Sequence, residues 1–443
     1  MVELQPFWPL GTVPFLVLLL CIAVLPLLPA TGHWWHANKN KAIVACGCGL
    51  ITLLFLAVTR TVGDAGHVLA HTLLEEYIPF MVLLGSLYVV AGGIVLRGQL
   101  AATPKINTMI LASGALLASL LGTTGASMLL IRLLLDTNRS RTRVAHTVVF
   151  FIFLAANVGG TLLPIGDPPL FLGYLRGVPF LWTLQLWQPW LFTVAVLLAI
   201  YYAIDSWMLR HEAARPEAAL VHSPPSLQCT GRINFLWLGG ILASVLLLVP
   251  GSSLFGSELL VPNFAREGAL AAFTLLSLVT TSKKLRAENS FSWGPIVEVA
   301  VLFIGIFVSM QVPLEVLNHR GAELGMTTPT QFFWITGLLS SVLDNAPTYL
   351  VFLTTATALP PGTTSAMVEL SQGVSVSSDL LEAISLGAVF MGALTYIGNG
   401  PNFMVKAIAE ERGVKMPSFF GYCGWSLAVL VPVLGITGLL FVG

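Results

Sequence analysis

A membrane-embedded unit occurs twice in this sequence, and the few polar residues inside it fall at matching points of the two copies. The first copy opens at Glu76-Tyr-Ile-Pro-Phe-Met and reaches Arg97-Gly98, and the second opens at Glu298-Val-Ala-Val-Leu-Phe and reaches Arg320-Gly321. Next, Gly114-Ala-Leu-Leu-Ala-Ser-Leu-Leu-Gly-Thr-Thr-Gly-Ala-Ser127 aligns with Gly337-Leu-Leu-Ser-Ser-Val-Leu-Asp-Asn-Ala-Pro-Thr348. Finally, Gly160-Thr-Leu-Leu-Pro-Ile-Gly-Asp-Pro-Pro169 aligns without a gap on Gly392-Ala-Leu-Thr-Tyr-Ile-Gly-Asn-Gly-Pro401. Three matches in the same order indicate a repeat, so function is sought where the copies meet.

The surroundings of this unit exclude a soluble protein. The chain is 56% hydrophobic and only 9% charged, against about 25% charge in a soluble globule. Apolar windows of about 20 residues, long enough to span a bilayer, recur from end to end. The predicted fold class is an all-α polytopic membrane protein with two inverted-topology repeats, each with a re-entrant hairpin and a discontinuous helix. The predicted segments are N-terminal transmembrane helices (1–75), repeat 1 (76–205; hairpin 106–135, broken helix 146–175), a linker with connecting helices (206–297), and repeat 2 (298–443; hairpin 331–358, broken helix 381–410). The polar stretch 206–232 reads as a linker through Pro216, Pro224 and Pro225.

Other readings fall away on composition. The apolar run 13–29 lacks a basic leading segment, with Glu3 in front of it, and is expected to be a retained span rather than a signal peptide. Leu28-Pro-Ala-Thr-Gly32 imitates a sortase signal at the wrong end of the chain. Cys21, Cys46, Cys48, Cys229 and Cys423 are scattered and odd in number, implying neither a disulfide framework nor a metal site. His67 and His71 are expected in a polar loop. There is no P-loop, nucleophile elbow or basic aromatic stripe. ATP-driven transport, enzymatic chemistry and nucleic-acid binding are therefore not expected.

Charge sets a topology. Ten full crossings, near 12–29, 41–59, 77–96, 146–175, 184–205, 233–250, 264–281, 294–316, 381–410 and 421–442, plus two hairpins that dip and return, place 15 of the 21 basic residues on one side. The other side receives only Arg60, Arg176, Arg266 and Arg320, while Arg132 and Lys406 fall within the membrane. The basic-rich side is then cytoplasmic and both termini lie outside. Copy 1 enters from outside and copy 2 from inside, the inverted arrangement suited to alternating access.

The chemistry concentrates at four breaks. The hairpin tips are Gly122-Thr-Thr-Gly-Ala-Ser127 and Asp344-Asn-Ala-Pro-Thr348, and the long crossings are interrupted at Gly166-Asp-Pro-Pro169 and Gly398-Asn-Gly-Pro-Asn402. Proline lacks an N–H and stops the preceding helix, freeing carbonyls that suit a cation and new N-termini that suit an anion. Asp344 and Asp167 are the acids here, and an ionisable group at membrane depth costs at least about 2.5–3.5 kcal/mol, so such residues are usually functional. The structural alternatives are a tip acid facing water for Asp344 and a plain N-cap for Asp167. Asn345, Thr348, Asn399, Asn402, Thr395, Asn157, Thr123, Thr124 and Ser127 supply neutral oxygens for Na⁺, or simply hydrogen bonds between helices. Glu76 and Glu298 hold matched positions at the start of apolar runs, with their roles left open.

Hairpin, broken helix and inverted repetition, with Asp344-Asn-Ala-Pro-Thr348 and Gly398-Asn-Gly-Pro-Asn402, resemble the ion transporter superfamily. It includes NhaD-type sodium/proton antiporters, arsenite permeases, citrate transporters of the CitMHS kind and divalent-anion/sodium symporters. The Asp-Asn-x-Pro-Thr string looks most like the NhaD-type group, which implies Na⁺/H⁺ exchange. The dicarboxylate branch carries Ser-Asn-Thr at its hairpin tips, whereas these positions read Gly122-Thr-Thr and Asp344-Asn-Ala. The resemblance implies a second carboxylate beside the first, which Asp167 would supply.

The expected function is thus secondary active transport: Na⁺/H⁺ antiport first, or Na⁺- or H⁺-coupled transport of citrate, another carboxylate or an oxyanion. The expected Na⁺ contacts are Asp344, Asn345, Asp167 and Asn399. An anion would want a fixed positive charge, for which Lys406 and Arg132 are the candidates; Lys406 turned toward the breaks would favour the anion reading. No cofactor beyond Na⁺ and H⁺ as transported or coupling ions is expected. The expected partners are the lipid bilayer and inorganic cations or a small organic anion, with no nucleic acid; a homodimer is one assembly open to the chain. The expected location is a bacterial inner membrane.

Overall fold

The structure is a computed structural model that describes residues 7–26, 28–212, 226–253, 260–289, 291–360 and 366–443. Pro216, Pro224, Pro225 and Glu3 lie outside the described residues. Among the described residues five continuous helices are long and apolar enough to cross a membrane: Asn38–Thr59, Val62–Ala91, Pro104–Thr137, Trp182–Arg210 and Phe419–Phe441. Gly294–Ser309 and Gln311–Leu324, bent by 42°, make a sixth span if taken together. Shorter apolar helices accompany them, among them Trp8–Val24 and Ile233–Leu247. Val58, Val279 and Leu439 are 84%, 84% and 82% exposed. Such outward apolar faces suit lipid, and the molecule is an integral membrane protein of the all-α class.

Pro104–Thr137 is not a straight crossing. Gly122 has φ 75°, ψ 153°, which is open to glycine and strained for other residues. Asn107 Nδ2 donates to Asn138 Oδ1 at 2.9 Å, although 31 helical residues would separate them by about 46 Å. The segment therefore folds back at its tip. The second hairpin turns between Pro329–Val342 and Asn345–Thr357, with the rings of Phe332 and Phe352 only 6.3 Å apart. Each hairpin starts alike: Thr103 and Thr328 are N-caps whose hydroxyls accept a backbone N–H, and proline follows at the first helical position. We expect Asn107→Cys with Asn138→Cys to cross-link in oxidised membranes; a straight helix would keep the two thiols apart.

The hairpins enter from opposite ends. The open end of the first lies beside Asp205 and, through Asp136, Arg412. The open end of the second lies elsewhere: Gly321 packs on Ala358, and the following loop bonds the far end of the first broken helix through Ser371 N–H to Arg176 O at 3.0 Å. That broken helix runs between these two ends, from His146 beside Asp205 to Arg176. The tips consequently meet in the interior.

Long-range ion pairs join residues that the charge-based topology puts on one side. Lys41–Glu298 (2.6 Å), Arg97–Glu288 (3.2 Å) and Arg412–Asp136 (2.5 Å) lie at the basic-rich end, and Arg176–Glu76 (2.6 Å) and Arg60–Glu315 at the other.

Some local expectations are corrected. His67 and His71 belong to the helix Val62–His71, not a loop, because Thr61 caps it at Asp64 N and the chain continues through a π-turn into Ile78–Ala91. Glu76 therefore sits inside a long helix rather than opening one. Two small antiparallel sheets were not anticipated. Val95–Gln99 pairs with Ser226–Thr230, and Met367–Glu369 with Ser375–Ser377, each giving hydrogen-bond partners to backbone outside the helices. All five cysteines are free.

Candidate ion site at the meeting of four chain breaks

Asp167 and Asn399 hold the same place in the two copies, immediately before the second half of each broken helix, Pro168–Leu175 and Gly400–Glu411. Their backbones nearly coincide, with φ −144°, ψ 142° for Asp167 and φ −153°, ψ 139° for Asn399. Both are N-caps by backbone, yet neither side chain bonds its own helix. The sequence supplies a reason. An N-cap side chain normally accepts from the second or third N–H of its helix; Pro169 and Pro401 remove the second. The plain-cap alternative for Asp167 is excluded, and its carboxylate is free to turn away.

It turns toward three other segments. Thr123 Oγ1, at the first hairpin tip, donates to Asp167 Oδ1 at 2.9 Å. Asn399 Nδ2, at the second break, donates to the same oxygen at 3.3 Å. Asn345 Nδ2, at the second tip, donates to Oδ2 at 2.6 Å. Asp167 is 1% exposed, and all three donors are neutral. Among the described residues no Lys, Arg or His forms an ion pair with it. Two oxygens on the hairpin tips, Asn345 Oδ1 and Ser127 Oγ, are buried without a hydrogen-bond partner.

A chain of amides extends this centre across both breaks. Asn399 Nδ2 also donates to Asn157 Oδ1 (3.2 Å), Asn157 Nδ2 to Asn402 Oδ1 (2.7 Å), and Asn402 Nδ2 to the carbonyls of Gly392 (2.8 Å) and Thr395 (2.9 Å). Thr395 Oγ1 donates to Ser341 O at 2.5 Å and accepts from the N–H groups of Ile397 and Gly398. Sequence reasoning passed over Ser119 and Ser340, whose hydroxyls donate to Gly159 O (2.6 Å) and Ala388 O (2.7 Å) and fasten each hairpin to a broken helix. The small residues lining each hairpin leg were the available signal.

The remaining candidates do not hydrogen-bond the Asp167 carboxylate. Asp344 is half-buried and accepts from Ala346 N at 3.1 Å, so this acid caps its own helix, and Thr348 Oγ1 donates to Asp344 O at 2.9 Å. Asp167 rather than Asp344 is the hub. Lys406 Nζ pairs with Glu410 at 2.8 Å on its own helix and lies 5.5 Å from the Tyr396 ring centre. Arg132 donates to Asn289 Oδ1 at 2.7 Å. Neither cation reaches the acid–amide cluster. Glu76 is bound by Arg176 (2.6 Å) and Gln311 Nε2 (3.0 Å), tying copy 1 to copy 2 at one end, whereas Glu298 pairs with Lys41.

A cavity of about 60 Å³ adjoins Asp167, Thr123 and Thr124, walled by Leu83, Leu87, Ile296 and Val299 among others, with no basic side chain among the described residues of its lining. It opens between the first hairpin tip and the leading helices of the two copies, Ile78–Ala91 and Gly294–Ser309. The arrangement can bind and release a small cation or a proton at a carboxylate, with amide and hydroxyl oxygens at hand.

Comparison with known proteins places the chain among membrane proteins. The chain is 28% identical over 299 residues to the "46 kDa membrane protein" of Mycobacterium leprae (strain TN), an alignment covering 64% of each chain. The chain thus spans somewhat less than two thirds of that relative's length. Residues 5–442 match the model of the CitMHS_2 family, described as "Putative citrate transport". With nearly its whole length matched, the chain belongs to the CitMHS_2 family.

Proposed function

We propose that this protein is a cation-coupled secondary transporter in which Asp167 alternately holds H⁺ and Na⁺, with Na⁺/H⁺ antiport as the first reading. The observation that carries it is a fully enclosed carboxylate held only by neutral donors, where four breaks from two inverted copies converge. A carboxylate removed from water is costly without positive charge, and a proton or a bound cation supplies it. Asn345 Oδ1, buried and unpartnered, is an oxygen available to Na⁺. H⁺ and Na⁺ then compete for one acid, and that competition couples their fluxes. Rocking of the broken helices and tips against the leading helices, including the Glu76–Arg176 contact, would expose Asp167 to either side. On this reading the basic-rich end faces the cytoplasm of a bacterial inner membrane and both termini lie outside.

The family description favours a second reading, H⁺- or Na⁺-coupled carriage of citrate or a related carboxylate. The lining of the cavity beside Asp167, which lacks any basic group among the described residues, weighs against a bare tricarboxylate there.

The deciding experiment uses purified protein in proteoliposomes, recording internal pH when Na⁺ is added outside and, separately, uptake of labelled citrate under Na⁺ or H⁺ gradients. Na⁺-driven proton efflux without citrate uptake is the expected result. Citrate accumulation that requires a cation gradient would transfer the protein to the second reading, with Asp167 as its coupling site.

A further inference from the structure

A second polar centre lies at the opposite end of the first broken helix from the breaks. Arg141 Nη1 donates to Asp205 Oδ1 at 2.6 Å and Nε to Glu212 Oε2 at 3.2 Å, and His146 Nε2 lies 2.9 Å from Asp205 Oδ1. The Arg141 side chain is only 3% exposed, and its remaining nitrogen, Nη2, is buried with no hydrogen-bond partner. A buried guanidinium nitrogen left unpaired is costly and normally finds an acceptor.

Arg141 lines a cavity of about 530 Å³, together with Arg139, Arg143, His146, Arg412 and Lys415. Arg139 and Arg412 share one carboxylate, Asp136, at 3.2 and 2.5 Å. Arg143 and Lys415 are exposed and have no ion pair among the described residues. Among the described residues no Asp or Glu is in the lining, and the three acids that pair with these residues, Asp205, Glu212 and Asp136, are not part of it, so positive charge faces the space. Low-dielectric walls concentrate such a field.

We propose that this cavity binds a small multivalent oxyanion, a di- or tricarboxylate or a phosphate group, with the Arg141 guanidinium in its wall and Arg143 and Lys415 at its rim. The planar guanidinium fork suits carboxylate and phosphate oxygens, and two rim charges select for more than one negative charge. The site is separate from Asp167: from His146 to the end of its helix at Leu154 the chain already rises by about 12 Å. The proposal does not depend on which substrate is carried at Asp167.

The test is calorimetric titration of the full-length protein in phosphatidylcholine nanodiscs with citrate and with inorganic phosphate at constant ionic strength. Saturable binding is expected, weakened about tenfold in Arg143→Gln/Lys415→Gln and unchanged in Asp167→Asn. Because the double variant alters only exposed side chains, its fold should persist. The phosphate group of an anionic lipid offers the same chemistry. If neither free anion binds, but phosphatidylglycerol co-purifies with the wild type and much less with the double variant, the oxyanion is a lipid headgroup. No binding of any of the three, binding indifferent to the rim charges, or citrate binding lost in Asp167→Asn would overturn the proposal.

Discussion

Asp167→Asn is expected to reduce cation-coupled flux by about 100-fold or more while leaving the protein at least as resistant to thermal unfolding as the wild type. The two halves of this expectation have one cause. Asp167 is enclosed, accepts from Thr123, Asn345 and Asn399, and has no cationic side chain in contact among the described residues. Asparagine has nearly the same shape but can neither carry a proton nor neutralise Na⁺. Removing a buried charge without a protein counter-ion relieves a desolvation cost on the order of a few kcal/mol, set against one lost acceptor. A residue retained for packing would behave the other way, with flux lost only as far as stability is lost. Melting followed by tryptophan fluorescence, beside proton flux in proteoliposomes, separates these cases. Normal flux in Asp167→Asn would remove the acid from the mechanism. Asp344→Asn should weaken transport less, since Asp344 caps its own helix at Ala346 instead of joining the cluster.

The second large effect is steric. Gly166→Ala should cost at least about 3 kcal/mol and prevent the first broken helix from closing on its hairpin. A β-carbon at position 166 would stand 2.2 Å from Gly160 O and 2.9 Å from Ser119 Cα, both backbone atoms that cannot swing aside. The same approach recurs in the other copy, where a β-carbon on Gly398 would stand 2.6 Å from Gly392 O. Gly398→Ala should therefore be nearly as damaging. Gly400→Ala, two residues further on with nothing within 4 Å, should stay within about 0.5 kcal/mol of wild type. Equal melting temperatures for the Gly166 and Gly400 variants would mean that the breaks are not packed in this way.

These glycines also show why the breaks could be read from the sequence. Gly160, Gly166, Gly392 and Gly398 fall on matched positions because each copy needs the chain to turn back on itself at one point; at Gly160, Gly166 and Gly398 a β-carbon would stand within 3.0 Å of a backbone oxygen, so only a residue without a side chain fits there, while at Gly392 it would come no closer than 3.2 Å to the Asn157 side chain. Proline immediately after Asp167 and near Asn399 ends one helix and starts the next, so the interruptions are local chemistry and legible as such. The hairpin tips were legible for the same reason. The starts of long helices were less so: Val62–His71 carries two histidines and an aspartate that read as a loop, and a Thr61 cap together with tertiary packing made it helical.

Which acid becomes the hub was beyond sequence reasoning. Asp344 and Asp167 look equivalent in the chain, each beside a helix start. The difference lies in the available donors: the helix after Asp344 offers the Ala346 N–H, whereas Pro168 and Pro169 offer none. Even so, the prolines only free the Asp167 side chain, and its partners come from residues 44, 178 and 232 positions away. Likewise, Lys406 sits near the second break in sequence, but the helical phase after Asn399 carries it to Glu410.

The sequence by itself determined that this chain lives in a bilayer, that it is built from two inverted copies, and where each copy is interrupted, because hydrophobic length, charge bias and proline are properties of short stretches. Tertiary structure alone decided that four interruptions share one point, that Asp167 stands there without a counter-ion among the described residues, and that Arg141 lines a basic cavity. Those facts depend on which distant segments pack together, and burial becomes costly or useful only once that packing has excluded water and lipid.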